Sequence, residues 1–322
     1  MAMAEAPLST QAAQLTNTLL MVSPDQFGFN AQTAATNSFQ NPTNESPTIV
    51  RDRAFTEFSK TVAALRHHGV EVVVCPSRVG VLTPDAVFPN NWISFHTELL
   101  QWDIVLYPML APNRRAERQF DRVKSLMPWM AIDPQRVLDL THLEQAGQFL
   151  EGTGSLVFQR SNKVVFAHES ARTSSSALDV FCQETGYRPV RFHAFDRQDR
   201  PIYHTNVVMG IGEGFSVVCL ESIRDQAERH RVESQLDKLG LEVIGITLDQ
   251  LHSFCGNVLH VASSTGPPKI ILSDNAFAAF TEEQRRRLIA YGELIPVDIN
   301  TIETVGGGSA RCLVAEVFPG KA

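Results

Sequence analysis

Apolar side chains recur along the chain in two patterns, one typical of amphipathic helices and the other of short buried strands. In the stretch 51–68, Phe55, Phe58, Val62 and Leu65 recur at helical spacing, which predicts a helix with these four side chains on one face. A glycine stops this helix, and a short run of β-branched residues then predicts a buried strand. The two patterns continue to alternate along the rest of the chain.

The predicted elements repeat in the order strand, strand, helix, strand at intervals of roughly 60 residues. The predicted strands are 19–22, 70–74, 92–96, 104–107, 155–158, 164–167, 188–192, 207–211, 216–219, 242–247, 258–263, 269–273 and 294–298. The predicted helices are 51–68, 114–127, 174–185, 224–239 and 282–291. The second of these is expected to carry arginine and glutamate on its outer face.

No linker or low-complexity segment separates the repeated units. We therefore predict a single α/β domain, 18–322, built from about five related units. A doubly wound parallel sheet is the competing architecture. It is weakened because no G-x-G-x-x-G sequence follows any predicted strand.

Composition is that of a globular chain with a substantial core, since 43% of the 322 residues are hydrophobic and 20% are charged. The net charge of -7 argues against a nucleic acid or a membrane surface as a partner. No apolar run approaches the ~20 residues that span a bilayer. Residues 1–17 are small and polar, with no basic region before an apolar segment, so we expect a disordered lead-in there.

Five cysteines are scattered along the chain, and their odd number without a C-x-x-C pair indicates neither a disulfide framework nor a structural zinc site. This usage favours a reducing, cytoplasmic setting. Those expected in the core lie in apolar patterns and are Cys75, Cys182, Cys219 and Cys255. Cys312 differs, because three consecutive glycines and Arg311 come shortly before it. Such a loop can hold a thiol as a nucleophile, whereas a glycine turn before a buried strand cysteine is the structural alternative.

Four short segments with chemically capable side chains each stand where a strand pair begins. They are 84–92 (Pro-Asp-Ala-Val-Phe-Pro-Asn-Asn-Trp), 150–155 (Leu-Glu-Gly-Thr-Gly-Ser), 203–206 (Tyr-His-Thr-Asn) and the cysteine loop, 305–313 (Val-Gly-Gly-Gly-Ser-Ala-Arg-Cys-Leu). If the units surround a common axis, equivalent segments converge at one end of it, and functional residues tend to lie on such loops. The sequence therefore predicts one site built from all four segments.

The order Phe-Pro-Asn-Asn, Glu-Gly-x-Gly, His-x-Asn and a glycine-rich loop with Cys resembles the guanidino-group modifying superfamily, from about residue 19 to 318. The sequence is most similar to the citrulline-utilisation hydrolases, also in the stretch 254–258 (Phe-Cys-Gly-Asn-Val). The superfamily includes arginine deiminases, dimethylarginine dimethylaminohydrolases, amidinotransferases and succinylarginine dihydrolases. The resemblance implies the pentein fold, a five-bladed αβ propeller of repeated ββαβ-type units.

The resemblance also implies roles for individual residues. Cys312 matches the nucleophile, His204 the general acid/base, and Glu151 the acidic residue that orients the histidine and contacts the substrate. Arg172 resembles the arginine that pairs with the substrate's α-carboxylate, which a guanidinium can bind through two parallel hydrogen bonds. A surface ion pair is the structural alternative for Arg172.

Two positions depart from the arginine deiminases, which have carboxylates where this chain has Asn91 and Asn206. Asparagine amides can pair with a neutral ureido group, whereas a buried guanidinium without a counter-charge is costly. The departure therefore favours citrulline over arginine. Asp85 and Glu151 could each supply a charge for a guanidinium. Turn formation by Asn91 and capping by Asp85 are the structural alternatives.

We therefore expect a cysteine hydrolase that cleaves the ureido group of citrulline to ornithine, carbon dioxide and ammonia through a covalent S-acyl intermediate. A cationic histidine nearby would lower the pKa of Cys312, and Arg311 would either contact the substrate or stabilise the thiolate. This chemistry requires no metal or organic cofactor, and a small amino acid is the expected partner. The alternatives are a hydrolase or deiminase of arginine or a modified arginine, and an inactive binding module. The sequence leaves a homo-oligomer open.

Overall fold

Five three-stranded sheets form the fold in the computed structural model, which describes residues 13–78, 80–130, 132 and 135–318. The strands are β1 (Thr18–Val22), β2 (Glu71–Cys75), β3 (Ile93–Phe95), β4 (Ile104–Leu106), β5 (Val137–Asp139), β6 (Val157–Gln159), β7 (Val164–His168), β8 (Arg188–Phe192), β9 (Met209–Ile211), β10 (Phe215–Val218), β11 (Glu242–Gly245), β12 (Leu259–Val261), β13 (Lys269–Ser273), β14 (Glu293–Val297) and β15 (Ala315–Val317). The sheet orders are β15-β1-β2, β3-β4-β5, β6-β7-β8, β9-β10-β11 and β12-β13-β14. In every sheet the central strand pairs antiparallel with the first strand and parallel with the last.

Helices cross over between the two parallel strands of each sheet, as a parallel connection requires. The α-helices are α1 (Ala31–Ala34), α2 (Pro47–His67), α3 (Pro112–Arg115), α4 (Phe120–Met130), α5 (Gly152–Ser155), α6 (Ser175–Thr185), α7 (Thr205–Val208), α8 (Gln226–Lys238), α9 (Leu248–His252), α10 (Asp274–Ala279) and α11 (Glu282–Ile289). Short 3-10 turns occupy Pro89–Asn91, Thr141–Ala146 and Leu220–Ser222, and Ile302–Gly306 forms a π-helical turn. The crossover helices are α2, α4, α6, α8 and α11. The strand, strand, helix, strand unit predicted from the sequence is confirmed in all five sheets.

The first sheet is assembled from both ends of the described chain. Strand β15 pairs antiparallel with β1, so that Leu20 lies opposite Ala315. The first strands of the sheets face one another, since β15 contacts β3, β6 contacts β9, and β9 contacts β12. Because Cys312 lies three residues before β15, this closure places it at the end of the same ring of strands.

Helix α2 begins four residues before the predicted start, because the Ser46 hydroxyl accepts a hydrogen bond from the Ile49 amide (3.4 Å) and Pro47 fits the first turn. Its buried face was predicted partly wrongly. Phe58 is 3% exposed and belongs to the core, whereas Phe55 is 48% exposed. Phe55 lies beside the row formed by Ala54, Phe58 and Leu65, which packs against the sheets.

The single helix predicted at 114–127 is wrong. The structure has two helices there, α3 and α4, with a turn between them. This change of direction places the side chains of Arg114 and Glu117 in the protein interior. Both side chains are buried, at 2% and 1% exposure, and not on an outer face. Their burial is possible because the Arg114 Nη2 donates to the Glu117 Oε2 at 2.9 Å, so each charge has its partner.

The disordered lead-in was predicted to extend to residue 17, but the structure has ordered contacts from residue 14 onward. Residues 1–12 lie outside the described residues, but 13–17 packs into the fold. The Gln14 side chain donates to the Phe158 carbonyl (3.0 Å), and the Thr16 carbonyl accepts from the Ala262 amide (3.0 Å). These contacts with two different sheets make 13–17 part of the folded domain. That the whole chain from residue 18 forms one domain stays a prediction.

The described cysteines are all unpaired, and four of them are buried. Cys182, which we expected in the core, is partly exposed. No helix in the described part of the chain is long and apolar enough to cross a membrane.

The two phenylalanines of α2 provide a test of its packing. We expect Phe58→Ala to lower the free energy of unfolding by about 3–5 kcal/mol, because it removes a buried ring and leaves a cavity. Phe55→Ala, the matched control on the same helix, should change it by less than about 0.5 kcal/mol. Denaturant unfolding followed by circular dichroism measures both, and similar losses in the two variants would contradict the observed face.

Candidate active site

The four predicted segments converge on one pocket at one end of the ring of strands. Each segment directly precedes the first strand of a sheet: Asn91 precedes β3, α5 precedes β6, α7 precedes β9, and Cys312 precedes β15. The residues that line the pocket are Asn37, Asp85, Phe88, Asn91, Arg114, Arg172, Tyr203, His204, Gly306, Gly307, Gly308 and Cys312. The convergence predicted from the repeat is therefore present in the structure.

The glycine-rich loop is shaped by close packing on both of its sides. Gly307 has φ +66°, and a Cβ there would lie 2.6 Å from the Asn37 amide nitrogen. A Cβ on Gly308 would lie 3.0 Å from the Phe88 ring. Only glycine therefore lets the loop pass between the 30–41 segment and Phe88. After these glycines the chain forms a turn, in which the Cys312 amide donates to the Ser309 carbonyl at 2.9 Å.

His204 and Glu151 form a buried pair, with 2.9 Å between the Nε2 and Oε2 atoms. The other carboxylate oxygen of Glu151 accepts from the Leu110 amide at 3.0 Å. Burial alone would raise the pKa of Glu151, but Arg172, the hydrogen bond to His204 and Arg114 hold it at about 2. Glu151 is therefore ionised and can only accept, so Nε2 of His204 carries the proton.

The second ring nitrogen of His204 is left free by this arrangement. Nδ1 is buried and has no hydrogen-bond partner within the described residues. Burial lowers the pKa of His204 to about 4, against the raising effect of Glu151. At neutral pH the ring is thus uncharged, with a proton on Nε2 and a lone pair on Nδ1, which is the state of a general base.

Gly154 makes room for the histidine ring. A Cβ at this position would lie 2.6 Å from His204 Nδ1 and 2.6 Å from Asn91 Nδ2. The His204 ring is held by its hydrogen bond with Glu151, and the Asn91 amide accepts a hydrogen bond from Arg114. Neither side chain can therefore move away from such a Cβ without losing that hydrogen bond. The second glycine of the Glu-Gly-x-Gly segment, Gly154, is therefore needed for the His204 ring and the Asn91 amide to occupy their positions in the pocket.

Two asparagine amides surround the Cys312 sulfur. The Asn206 Nδ2 lies 3.5 Å from Sγ and the Asn257 Nδ2 lies 3.4 Å from it. Asn206 was predicted to bind substrate, and it lies beside the Cys312 sulfur, while substrate binding by it stays a prediction. Asn257 was not among the predicted site residues, although it precedes β12 as the other site residues precede their strands. The repeat itself was the signal that could have identified it.

The state of Cys312 differs from the sequence-based expectation. Burial raises the pKa of the thiol above its ordinary value, although the hydrogen bonds around the sulfur oppose the rise. The cationic histidine that was expected to lower this pKa is instead neutral His204. The resting pair is therefore a thiol and a neutral imidazole, not a thiolate and an imidazolium.

Arg114 is a pocket residue that the sequence analysis missed. Its Nη1 donates to the Asn91 Oδ1 at 2.6 Å and lies 3.8 Å from the Glu151 Oε2. Its Nε lies 3.6 Å from the Asp85 Oδ2. The spacing of Arg114 and Glu117, three residues apart, was compatible with a pair, but only the turn after α3 directs that pair inward.

Asp85 lies on the pocket wall, as predicted. Its Oδ2 accepts from the Asn30 amide (2.7 Å) and the Thr33 hydroxyl (3.0 Å), whereas its Oδ1 has no partner within the described residues. Burial raises the pKa of Asp85, although Arg114 opposes the rise. Asn91 Nδ2 is likewise unpartnered among the described residues. The pocket therefore presents a carboxylate acceptor, an amide donor and the free nitrogen of His204.

The charge of this buried cluster depends on the protonation of its carboxyl groups. Three of them, of Asp85, Glu117 and Glu151, meet two guanidiniums, of Arg114 and Arg172. Burial raises the pKa of Glu117 to about 8 against the opposing effect of Arg114, so Glu117 is mostly protonated at neutral pH. Burial also raises the pKa of Asp85, and a cation bound beside Asp85 would favour its ionised form.

Arg172 is buried in the pocket wall and not in a surface ion pair. Its Nη1 lies 3.6 Å from the Glu151 Oε2, and its guanidinium lies over the Tyr203 ring at 5.0 Å. Other donors reach the Thr33 carbonyl (3.0 Å) and the Thr36 hydroxyl (2.9 Å). These contacts attach the 30–41 segment to the pocket. Binding of a substrate carboxylate by Arg172 stays a prediction.

Arg311 does not lie in this pocket, contrary to one of its two predicted roles. Its Nη2 donates to the Glu316 carboxylate at 2.6 Å and its Nη1 to the Val314 carbonyl at 3.1 Å. Its side chain instead lines a second cavity together with Arg160, behind the cysteine loop. Its positive charge acts on Cys312 only by lowering the pKa of the thiol.

Within the described residues, no group of three or more His, Cys, Asp and Glu side chains is arranged to hold a metal ion.

A family model described as N,N dimethylarginine dimethylhydrolase, eukaryotic, matches residues 23–319 of the chain. No curated protein sequence matches it.

Solved structures share this architecture at low sequence identity. A variant of the N-terminal domain of ArgZ, an arginine dihydrolase from the Ornithine-Ammonia Cycle in cyanobacteria, bound to substrate, is 17% identical with a TM-score of 0.71, over 93% of this chain and 97% of that one. The chain covers 40% of full-length ArgZ. A dimethylarginine dimethylaminohydrolase variant, as an adduct with S-methyl-L-thiocitrulline, is 13% identical with a TM-score of 0.63, over 94% of this chain and 99% of that one. These similarities confirm the predicted pentein fold.

The protonation of His204 can be measured directly. We expect its imidazole to titrate with a midpoint near pH 4, with the proton on Nε2 above that pH. Because this pKa is depressed from the ordinary 6.5, neutral His204 contributes stability that is present above pH 6.5 and lost as the pH falls through about 4. Imidazole nitrogen NMR shifts, assigned by their loss in His204→Asn, report both quantities. A midpoint near 6.5, or a proton on Nδ1, would contradict the proposed general base.

Proposed function

Because the chain belongs to the eukaryotic N,N-dimethylarginine dimethylhydrolase family, we propose that it is a cysteine hydrolase of the guanidino group of arginine or an N-substituted arginine. The observation that carries this proposal is the buried Oδ1 of Asp85, which lies in the pocket wall and has no hydrogen-bond partner within the described residues. A guanidinium supplies both the missing N–H donor and a positive charge that favours the ionised form of Asp85.

Asn91 and Asn206 do not exclude a guanidino substrate. Asn91 and Asn206 favoured citrulline in the sequence analysis because they replace carboxylates. We propose that Asp85, six residues before Asn91, pairs with the guanidinium instead, since its Oδ1 has no partner within the described residues, whereas the Asn91 Oδ1 already accepts from Arg114. The asparagines alone are therefore a weaker argument for a neutral substrate than the sequence suggested.

The first half of the reaction uses the neutral pair described above. His204 Nδ1 takes the thiol proton of Cys312, and the thiolate adds to the guanidino carbon. The tetrahedral adduct collapses with cleavage of one C–N bond, and the protonated His204 passes its proton to the departing nitrogen. Ammonia leaves from arginine, or the substituted amine from an N-substituted arginine, and an S-linked amidino group remains on Cys312.

The second half regenerates the enzyme. His204 Nδ1, neutral again, takes a proton from water, and the resulting hydroxide adds to the same carbon. The C–S bond breaks, His204 returns the proton to the Cys312 sulfur, and a ureido product leaves. The sum is one guanidinium and one water converted to one ureido group and one ammonium, with Glu151 holding the ring in one tautomer throughout.

Hydrolysis of the ureido group itself is the second candidate function. The observation that favours it is the amide surroundings of Cys312, since Asn206 and Asn257 contact the sulfur and the Asn91 Nδ2 is free to donate to a carbonyl. In this reaction Cys312 attacks the ureido carbon of citrulline, ornithine leaves, and hydrolysis of the S-linked carbamoyl group yields carbon dioxide and ammonia.

Product analysis with purified protein tests both functions. Arginine, Nω,Nω-dimethylarginine and citrulline are incubated separately, and amino acids, amines and ammonia are quantified. We expect turnover of at least one guanidino substrate to citrulline with release of one amine or ammonia. Further conversion to ornithine, or ornithine from citrulline alone, would support the second candidate.

The control for this experiment is Cys312→Ser, which keeps the shape of the side chain and should reduce turnover by ~1,000-fold or more. Turnover of none of the three substrates by folded wild-type protein would contradict the proposed function. It would favour the inactive binding module that the sequence left open.

The role of Asp85 gives a sharper prediction. We expect Asp85→Asn to lower kcat/KM for the guanidino substrate by ~100-fold or more, since the carboxylate that would pair with the guanidinium is lost. Turnover of citrulline, which carries no charge on its ureido group, should change by less than ~10-fold. Asp25→Asn is the matched control, because Asp25 also accepts hydrogen bonds from two other side chains, of Ser23 and Ser77, but does not line the pocket. Equal losses on both kinds of substrate would contradict the charge argument.

A further inference from the structure

We propose that Asn257 is a further catalytic residue, whose side-chain amide binds the Cys312 sulfur and stabilises its thiolate. The proposal rests on the proposed role of Cys312 as the nucleophile, but not on which substrate it attacks. Asn257 is fully buried, on the turn between α9 and β12, and it comes from the one sheet that contributes none of the four predicted segments.

The orientation of the Asn257 amide is determined by its neighbours. Its Oδ1 accepts from the Arg311 main-chain amide at 2.9 Å, which only an oxygen can do. Its Nδ2 therefore donates to the Asn206 carbonyl at 2.9 Å and lies 3.4 Å from the Cys312 Sγ, while the Oδ1 lies 3.7 Å from the same sulfur and can accept from the thiol. One side chain thus holds the cysteine loop and presents an N–H to the sulfur.

The N–H donors at the Cys312 sulfur matter because no cationic side chain among the described residues contacts this sulfur directly. His204 is neutral, and the guanidinium of Arg311 is turned away toward Glu316. A buried thiolate without partners is costly, and each amide N–H that points at it lowers that cost. Asn257 and Asn206 are the side chains that donate to Sγ in the described structure.

The backbone around Asn257 is constrained in a way that favours this placement. Phe254, three residues before it, is buried and has φ +59°, a conformation that a bulky residue rarely adopts. A Cβ on Gly256 would lie 2.4 Å from the Val207 carbonyl oxygen, so the turn passes directly against the His204 segment. The close approach brings Asn257 within reach of both Asn206 and Cys312.

Two substitutions separate the sulfur contact from the loop contact. Asn257→Asp keeps an oxygen for the Arg311 amide but directs a carboxylate oxygen at Sγ, where it repels a thiolate. Asn257→Ser keeps a donor in a smaller side chain. Asn162→Asp, an exposed turn position, is the matched control for adding a carboxylate.

The readout is the pKa of the Cys312 thiol, measured from the pH dependence of its alkylation by iodoacetamide with mass spectrometry of the Cys312 peptide. We expect Asn257→Asp to slow alkylation at pH 7 by ~10-fold or more and to move the profile to higher pH. Asn257→Ser should give a smaller shift in the same direction, and Asn162→Asp should match the wild type.

The proposal is overturned if the profile of folded Asn257→Asp coincides with that of the wild type. It is also overturned if neither Asn257 variant folds, as judged by circular dichroism, because Asn257 would then be a structural residue. Since alkylation needs no substrate, the outcome is independent of the function test. A shifted profile in a protein that turns over no guanidino compound would support this proposal and contradict the proposed function.

Discussion

The closure of the first sheet by the last strand is the constraint on which the rest of the structure depends. β15 pairs with β1, so the two ends of the described chain lie in one sheet, and β15 also contacts β3 of the next sheet. The residues just before the first strand of each sheet then lie close together around the pocket. Asn91, Gly154, Asn206, Asn257 and Cys312 stand two or three residues before these strands, one in each unit. The pocket is therefore a consequence of the repeat, with one residue supplied by each unit.

Buried charge is the second determinant of the site. Taking several ionised groups out of water is costly unless they compensate one another, and here three carboxyl groups lie beside two guanidiniums. Burial raises the pKa values of Asp85 and Glu117, and a cationic ligand beside Asp85 would favour its ionised form. Glu151, close to both guanidiniums, stays ionised and keeps the His204 ring in the tautomer that leaves Nδ1 free.

The repeat, the order of the segments and the identity of Cys312, His204, Glu151 and Asp85 as pocket residues were all accessible from the sequence. Local patterns suffice for these, because apolar periodicity reports burial and short motifs stand next to the strands that position them. Two of the errors, at Phe55 and Arg114, share one cause. Phe55 and Arg114 were placed by periodicity within a single helix, but the true faces are decided by the sheets that pack against them. No local pattern contains that information.

By itself, the amino-acid sequence determined the fold class, the five units and the guanidino-group modifying superfamily, but not the family within it. It also determined which residue types could act as nucleophile and base. Only the tertiary structure decided their states and neighbours: that His204 is neutral, that Arg311 faces away from the pocket, and that Asn257 contacts the Cys312 sulfur. The physical reason is that protonation and hydrogen bonding depend on burial and on partners tens to hundreds of residues distant, and folding alone brings these together.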